Sequence, residues 1–168
     1  DVRKDGYVQS QEGEWDSNGQ ALWLLEQNAR LSGDYEIFHQ EYWQILNAAH
    51  WIDAMRQKTK QRGERVPEHG LLPAGMSAEH LGPNDFYFWD DWWGLAGLRA
   101  AMYAANIFNA PDDANKLQFA YDTFFRDVNA ALARAAEKNR AVFMPASPYR
   151  RADSAMVANL VASYPLQL

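Results

Sequence analysis

Residues 17–60 read SNGQALWLLEQNARLSGDYEIFHQEYWQILNAAHWIDAMRQKTK, and their spacing decides the fold class. Ser17 and Gln20 stand three apart, the spacing of a capping box. Ala21, Leu22, Trp23, Leu24, Leu25, Ala29 and Leu31 then follow at helical intervals, which predicts about four turns with a broad apolar face. Gly33 is the expected stop, because glycine readily takes the left-handed conformation that closes a helix. Asp34 is placed to cap the next helix. Ile37, Phe38, Tyr42, Trp43, Ile45, Leu46, Ala49, Ile52 and Met55 carry that helix until the pattern fades near residue 62. A linker of only a few residues makes the two helices an antiparallel hairpin.

The same plan returns further along the chain. A third helix is expected from about Asp90 to Asn106, through Trp93, Leu95, Ala96, Leu98, Ala101 and Met102. Gly94 and Gly97 lower its intrinsic stability but permit close approach of another backbone. Pro111 suits the first turn of a fourth helix, whose face is Leu117, Phe119, Ala120, Phe124, Val128, Leu132 and Ala135. Helix, short acidic turn (SGDYE, then NAPDD) and long helix occur twice, which predicts stacked helical hairpins. Asp153 is expected to cap a short last helix with Met156, Val157, Leu160 and Val161, ended at Pro165. That helix reads as the start of a third hairpin.

Between the two hairpins, residues 63–88 form a long connection marked by Pro67, Gly70, Pro73, Gly75, Gly82 and Pro83. Loops of this length are often functional. Its cluster AEHLGPND is the expected seat of chemistry.

Composition removes several alternatives. Of the 168 residues, 48% are apolar and 23% charged, an ordinary globular balance for one domain. The net charge of −6 and the absence of a basic stripe argue against a nucleic-acid partner. The densest basic stretch, Arg56 to Arg65, contains Glu64 and reads as a solvated face. Cysteine is absent, which removes disulfides, thiol catalysis and Cys-ligated zinc. His39, His50, His69 and His80 make no ligand motif, so neither metal nor cofactor is expected. No stretch has the length of a membrane span, and a soluble setting is expected. The compartment stays open, with the cytoplasm favoured.

Four polar constellations could carry function. Glu14, Trp15, Asp16, Asn18 and Gln20 precede or open the first helix; they could bind hydroxyls beside a stacking indole, or could be simple capping residues. Glu79, His80, Asn84 and Asp85 share the long connection. A glycosidase needs a protonated acid beside the scissile bond and a separate carboxylate that activates water, and Glu79 and Asp85 could act so. Turn hydrogen bonds and surface ion pairs are the plainer reading of those two. Phe86, Tyr87, Phe88, Trp89, Asp90, Asp91, Trp92 and Trp93 cannot all lie on one buried stripe, so some must line a cleft or another subunit. Arg150, Arg151 and Asp153 could orient a ligand or brace a loop.

With these segments quoted, the chain resembles the six-hairpin glycosidases, glucoamylase-like toroids of twelve helices. EWDSNGQALWLLEQNARLSGDYE resembles their recurrent hairpin. GLLPAGMSAEHLGPNDFYFWDDWWGLAGLRAAMYAA resembles the region around their general acid, although Ala78 stands where a tryptophan usually precedes that acid. The resemblance implies an all-α (α/α)6 toroid of which residues 1–168 are a part. It places Glu79 as proton donor, with Asp85 as rival, and implies hydrolysis of α-glucosidic bonds of an oligosaccharide or glycoside with inversion. Trp15, Asp16, Asn18, Trp89 and Asp90 fall among its sugar-contacting positions, and Gln20, His80, Asn84, Trp92, Arg151 and Asp153 join them as candidate substrate-binding residues. Three alternatives stand beside this reading. One is a non-catalytic carbohydrate-binding module, another a helical scaffold, and the third a split barrel completed by another chain.

Overall fold

The computed structural model describes residues 2–76, 84–140 and 142–168. It is all-α. Helix α1 spans Ser17–Ser32, a short α2 spans Glu36–Gln40, and α3 spans Tyr42–Lys60. Helices α4 and α5 span Phe88–Ile107 and Pro111–Asn139. A 3-10 turn, Ser154–Asn159, runs into the short α6, Leu160–Ser163.

Local chemistry sets most of these boundaries. Gly33 closes α1 with φ of 72°, and its N–H reaches the Ala29 carbonyl. The Asp34 carboxylate accepts the Glu36 N–H at 2.9 Å. Pro111 occupies the first turn of α5, and the Asp153 side chain accepts the Ala155 N–H at the head of the 3-10 turn. Two expectations are corrected. The capping box does not form: Asp16 is the N-cap of α1 without a side-chain cap bond, and Gln20 instead donates to the Asp16 carboxylate. The second helix bends at Glu41 (φ −109°, ψ 15°), yet Glu41 N–H still meets the Ile37 carbonyl and Ile45 N–H meets that of Glu41. The bend interrupts helical geometry, not the hydrogen-bond ladder, so no glycine or proline marks it.

The helices form two antiparallel hairpins lying side by side. In the first, the Asn18 amide at the head of α1 donates to the Ala48 carbonyl of α3. In the second, Phe124 of α5 packs on Gly94 of α4 across the turn at Phe108–Ala110. Helices α1 and α4 run in the same direction, with Gly19 against Gly97 near their heads and Arg30 over the Tyr103 ring at 3.9 Å near their ends. Helices α3 and α5 are likewise parallel, since Tyr42 donates to Asp113 and, later in both, Arg56 donates to Asp127.

Small residues set the α1–α4 spacing. A Cβ on Gly19 would stand 2.0 Å from the Trp93 carbonyl oxygen, and one on Gly97 would stand 2.8 Å from the Gly19 Cα. Gly97 thus does what its sequence position suggests, whereas Gly94 makes room for the Phe124 ring rather than for a backbone. Helix α4 is the spine of the core, with Phe88, Leu95, Ala96, Leu98, Ala101, Ala104 and Ala105 fully buried.

The connection after α3 is anchored rather than loose. Leu71 and Leu72 are buried in the core, and Thr59 donates to the Leu71 carbonyl at 2.6 Å. Gly70 has φ of 77° and lies directly against the Asp127 carboxylate, a position that requires glycine. Arg56, expected on a solvated face, is instead fully buried. Its guanidinium donates to Asp127 at 2.7 Å, to Asp53 and Thr123, and to the Ala120 and Gly70 carbonyls. The reason is long-range: its main carboxylate partner is 71 residues away, invisible to a local charge count.

Candidate functional site

Because α1 and α4 are parallel, their N-terminal ends meet. Trp89, in the first turn of α4, donates its indole N–H to the Asp16 Oδ2 at 2.7 Å. The same oxygen accepts the Gln20 amide at 2.8 Å. Asp16 is buried, while Trp89 and Gln20 are half-buried, so the group lies at a rim between core and solvent. Trp89 stands edge-to-face with Trp93 at 5.8 Å, and Trp93 does the same with Trp23 of α1 at 5.6 Å. Three indoles therefore line the seam between the two parallel helices.

Asp90 follows Trp89 and is buried. Tyr87, also buried, stands among Asp85, Asp90 and Arg150, whose guanidinium lies 5.9 Å from its ring centre. Burial chiefly raises the Tyr87 pKa; Asp85 and Asp90 raise it further, and Arg150 opposes them. The phenol is therefore neutral at ordinary pH. Tyr87 and Arg150 stand in separate constellations of the sequence, and only the fold joins the 147–153 loop to the head of α4.

The long connection reaches this end through a two-sided bridge. Gly75 N–H donates to the Asp85 carbonyl at 2.9 Å, and Asp85 N–H returns to the Gly75 carbonyl at 3.1 Å. Gly75 lies against the Trp15 indole, where a Cβ would come within 2.5 Å of the ring. Trp15 also donates to the Ala74 carbonyl at 3.2 Å and packs with Tyr7 and Trp51. Glu79 and His80 fall between the bridged residues and lie outside the described residues.

Several candidates prove to be structural. Asn18 is completely buried, and its amide is consumed by the backbone: Oδ1 accepts the Val8 N–H, and Nδ2 donates to the Gly6 and Ala48 carbonyls. It locks the N-terminal loop onto the first hairpin and presents nothing to a ligand. Trp92 is likewise buried, and its indole N–H is taken by Asn159 at 3.0 Å. Trp15 serves mainly as a packing platform. Asp85 is a loop anchor, since Oδ1 accepts the Phe86 N–H and Oδ2 accepts the Ser147 hydroxyl, both at 2.8 Å. Asp153 pairs with Arg150 at 2.8 Å while capping the 3-10 turn, which makes this pair the loop brace. Arg151 and Asn84 are exposed. The structure thus brings together Asp16, Gln20 and Trp89 with Trp93 beside them, and groups Asp90 with Tyr87 and Arg150 at the head of α4.

Among the described residues, no group of three His, Asp or Glu could hold a metal ion. No described helix is long and apolar enough to cross a membrane. The chain matches none of the family models, curated proteins or solved structures with which it was compared.

Proposed function

We propose that the joined heads of α1 and α4 are the sugar-binding end of a glycoside hydrolase-like site in a six-hairpin toroid. The observation that carries this reading is the Asp16–Trp89 hydrogen bond, which holds a carboxylate and an indole together at the rim. Pyranose rings offer apolar faces to indoles and hydroxyls to carboxylates, so an aromatic and acidic rim suits them. The bridge between Gly75 and Asp85 holds both ends of the stretch carrying Glu79 beside the same helix heads. Glu79 would protonate the leaving oxygen of an α-glucosidic bond. A second carboxylate, placed by the toroid resemblance in another part of the barrel, would activate water and invert the anomeric centre.

The Asp85 geometry favours one alternative, a carbohydrate-binding module without catalysis. Both Asp85 oxygens are already engaged by loop contacts, so one member of the expected acid pair is committed to structure.

A single set of assays separates these readings. The chain, within the complete barrel that supplies the second carboxylate, is incubated with α-linked glucose oligomers, and the product anomer is followed by proton NMR. Binding is measured in parallel by calorimetry. The hydrolase reading expects β-anomer release that Glu79→Gln abolishes while the thermal melt is unchanged. Binding without turnover, weakened at least tenfold (about 1.4 kcal/mol) by Trp89→Ala, selects the binding module. Absence of both rejects the carbohydrate reading.

A further inference from the structure

A second hollow lies beyond the indole row, toward the C-terminal ends of α1 and α4. Its volume is about 510 Å³, and the chain at Pro165–Gln167 forms one wall. That size falls within the range of small-molecule sites. Trp23, Glu26 and Arg30 of α1 face Arg99 and Tyr103 of α4 across it.

Its polar groups are incompletely used. Glu26 is only 4% exposed. Its Oε1 pairs with Arg30 at 2.8 Å, whereas its Oε2 is buried with no hydrogen-bond partner among the described residues. A buried acceptor without a partner is costly, and a ligand hydroxyl can satisfy it. Trp23 is half-buried, which leaves part of its ring for an apolar face of a ligand.

Charge narrows the ligand further. Two guanidiniums, Arg30 and Arg99, stand against the single Glu26 carboxylate. Arg30 is committed to Glu26 and stacked on Tyr103. Arg99 donates to the Leu166 and Gln167 carbonyls at 2.6 and 3.4 Å. No described carboxylate lies within ion-pair distance of it. The hollow therefore carries one uncompensated positive charge, positioned by neutral acceptors.

We propose that this hollow binds an anionic sugar, either a sugar acid or a sugar phosphate. The anionic group meets Arg99, the hydroxyls meet Glu26, and the ring lies on Trp23. This site is separate from the Asp16–Trp89 rim and does not depend on hydrolysis there.

The test is a titration of the whole chain by calorimetry and tryptophan fluorescence at constant ionic strength. The probes are glucuronate, glucose 6-phosphate, glucose, acetate and inorganic phosphate. Saturable binding is expected for glucuronate or glucose 6-phosphate, at least tenfold tighter than for glucose and for either bare anion; which of the two binds identifies the anionic group. Arg99→Gln should weaken it at least tenfold, and Glu26→Gln should weaken it while circular dichroism is unchanged. Trp89→Ala should leave it intact, which separates this site from the rim. Equal binding of glucose overturns the proposal, as does equal binding of a bare anion, the absence of saturation, or insensitivity to Arg99→Gln in a folded variant.

Discussion

Asp91 enters the core from the first turn of α4, where its Oδ1 accepts the Leu72 N–H at 2.8 Å. Its other oxygen is buried without a hydrogen-bond partner among the described residues. Burial, the largest influence, raises its pKa well above the ordinary value; the Leu72 N–H and the Arg56 charge pull the other way but do not prevail. The folded chain therefore keeps a proton that the unfolded chain releases above pH of about 4. The associated stability is complete below that pH and is lost as pH rises toward the folded pKa. Asp91→Asn keeps the acceptor and the shape but removes the linkage. We expect the variant to melt at or above the parent temperature at pH 7, with the advantage vanishing near pH 4. An Asn variant much less stable at pH 7 would show that Asp91 is ionised there. Gly19 makes a simpler case. Its missing Cβ is replaced by the Trp93 carbonyl, so Gly19→Ala must push α1 away from α4. A loss of at least about 1–3 kcal/mol is expected in urea denaturation, the usual cost of overpacking.

Elements whose signals are local were legible in the sequence: Gly33, Pro111 and Asp153 mark the boundaries they were read to mark, while Asp34 holds the Glu36 N–H from one residue ahead of the actual N-cap, Tyr35. What depends on neighbouring elements was not. The bend at Glu41 leaves the hydrogen-bond ladder intact and so leaves no breaker residue. The site shows the same division. Asp16, Trp89 and Asp90 stood out as acids beside indoles, but their meeting depends on α1 and α4 running parallel. Asn18 and Trp92 carry the same chemistry and are spent on the backbone and on Asn159. Arg56 is the sharpest instance, because a basic residue in a basic stretch became the polar bolt between α3, α5 and the long connection. Its neighbours Asp127 and Gly70 are both shaped around it. Removing it leaves Asp127, itself 7% exposed, with Lys60 and the outlying Arg126 as its cationic partners among the described residues. Arg56→Ala should cost about 3–5 kcal/mol, the usual penalty for breaking a buried pair from one side. Chemical denaturation measures it, and a loss below about 1 kcal/mol, typical of a surface pair, would show that Lys60 suffices.

Two phenols tie together parts of the molecule that lie far apart in sequence. Tyr42, at the start of α3, donates to Asp113 at the start of α5 and stacks on Phe108 with ring centres 4.0 Å apart, clasping the two hairpins. Tyr149 donates to the buried Glu68, joining the loop after α5 to the connection before α4. Burial first, then the hydrogen bond to a carboxylate and its charge, push each pKa up to about 12. In the unfolded chain both ionise near pH 10. A phenol held neutral by the fold stabilises fully below the unfolded pKa, and that contribution disappears as pH climbs toward the folded one. The clasps should therefore open together between pH of about 10 and 12, as tyrosinate forms against Asp113 and Glu68. Tyr42→Phe and Tyr149→Phe each remove one donor, at a cost of about 1 kcal/mol at neutral pH. The paired variant should start lower but lose less stability across the alkaline window. Denaturation midpoints taken through that range, with tyrosinate absorbance as the second signal, decide the matter. Parallel curves for parent and double variant would place the alkaline weakness elsewhere, with Tyr7 and Tyr121, also raised by burial, the next to examine.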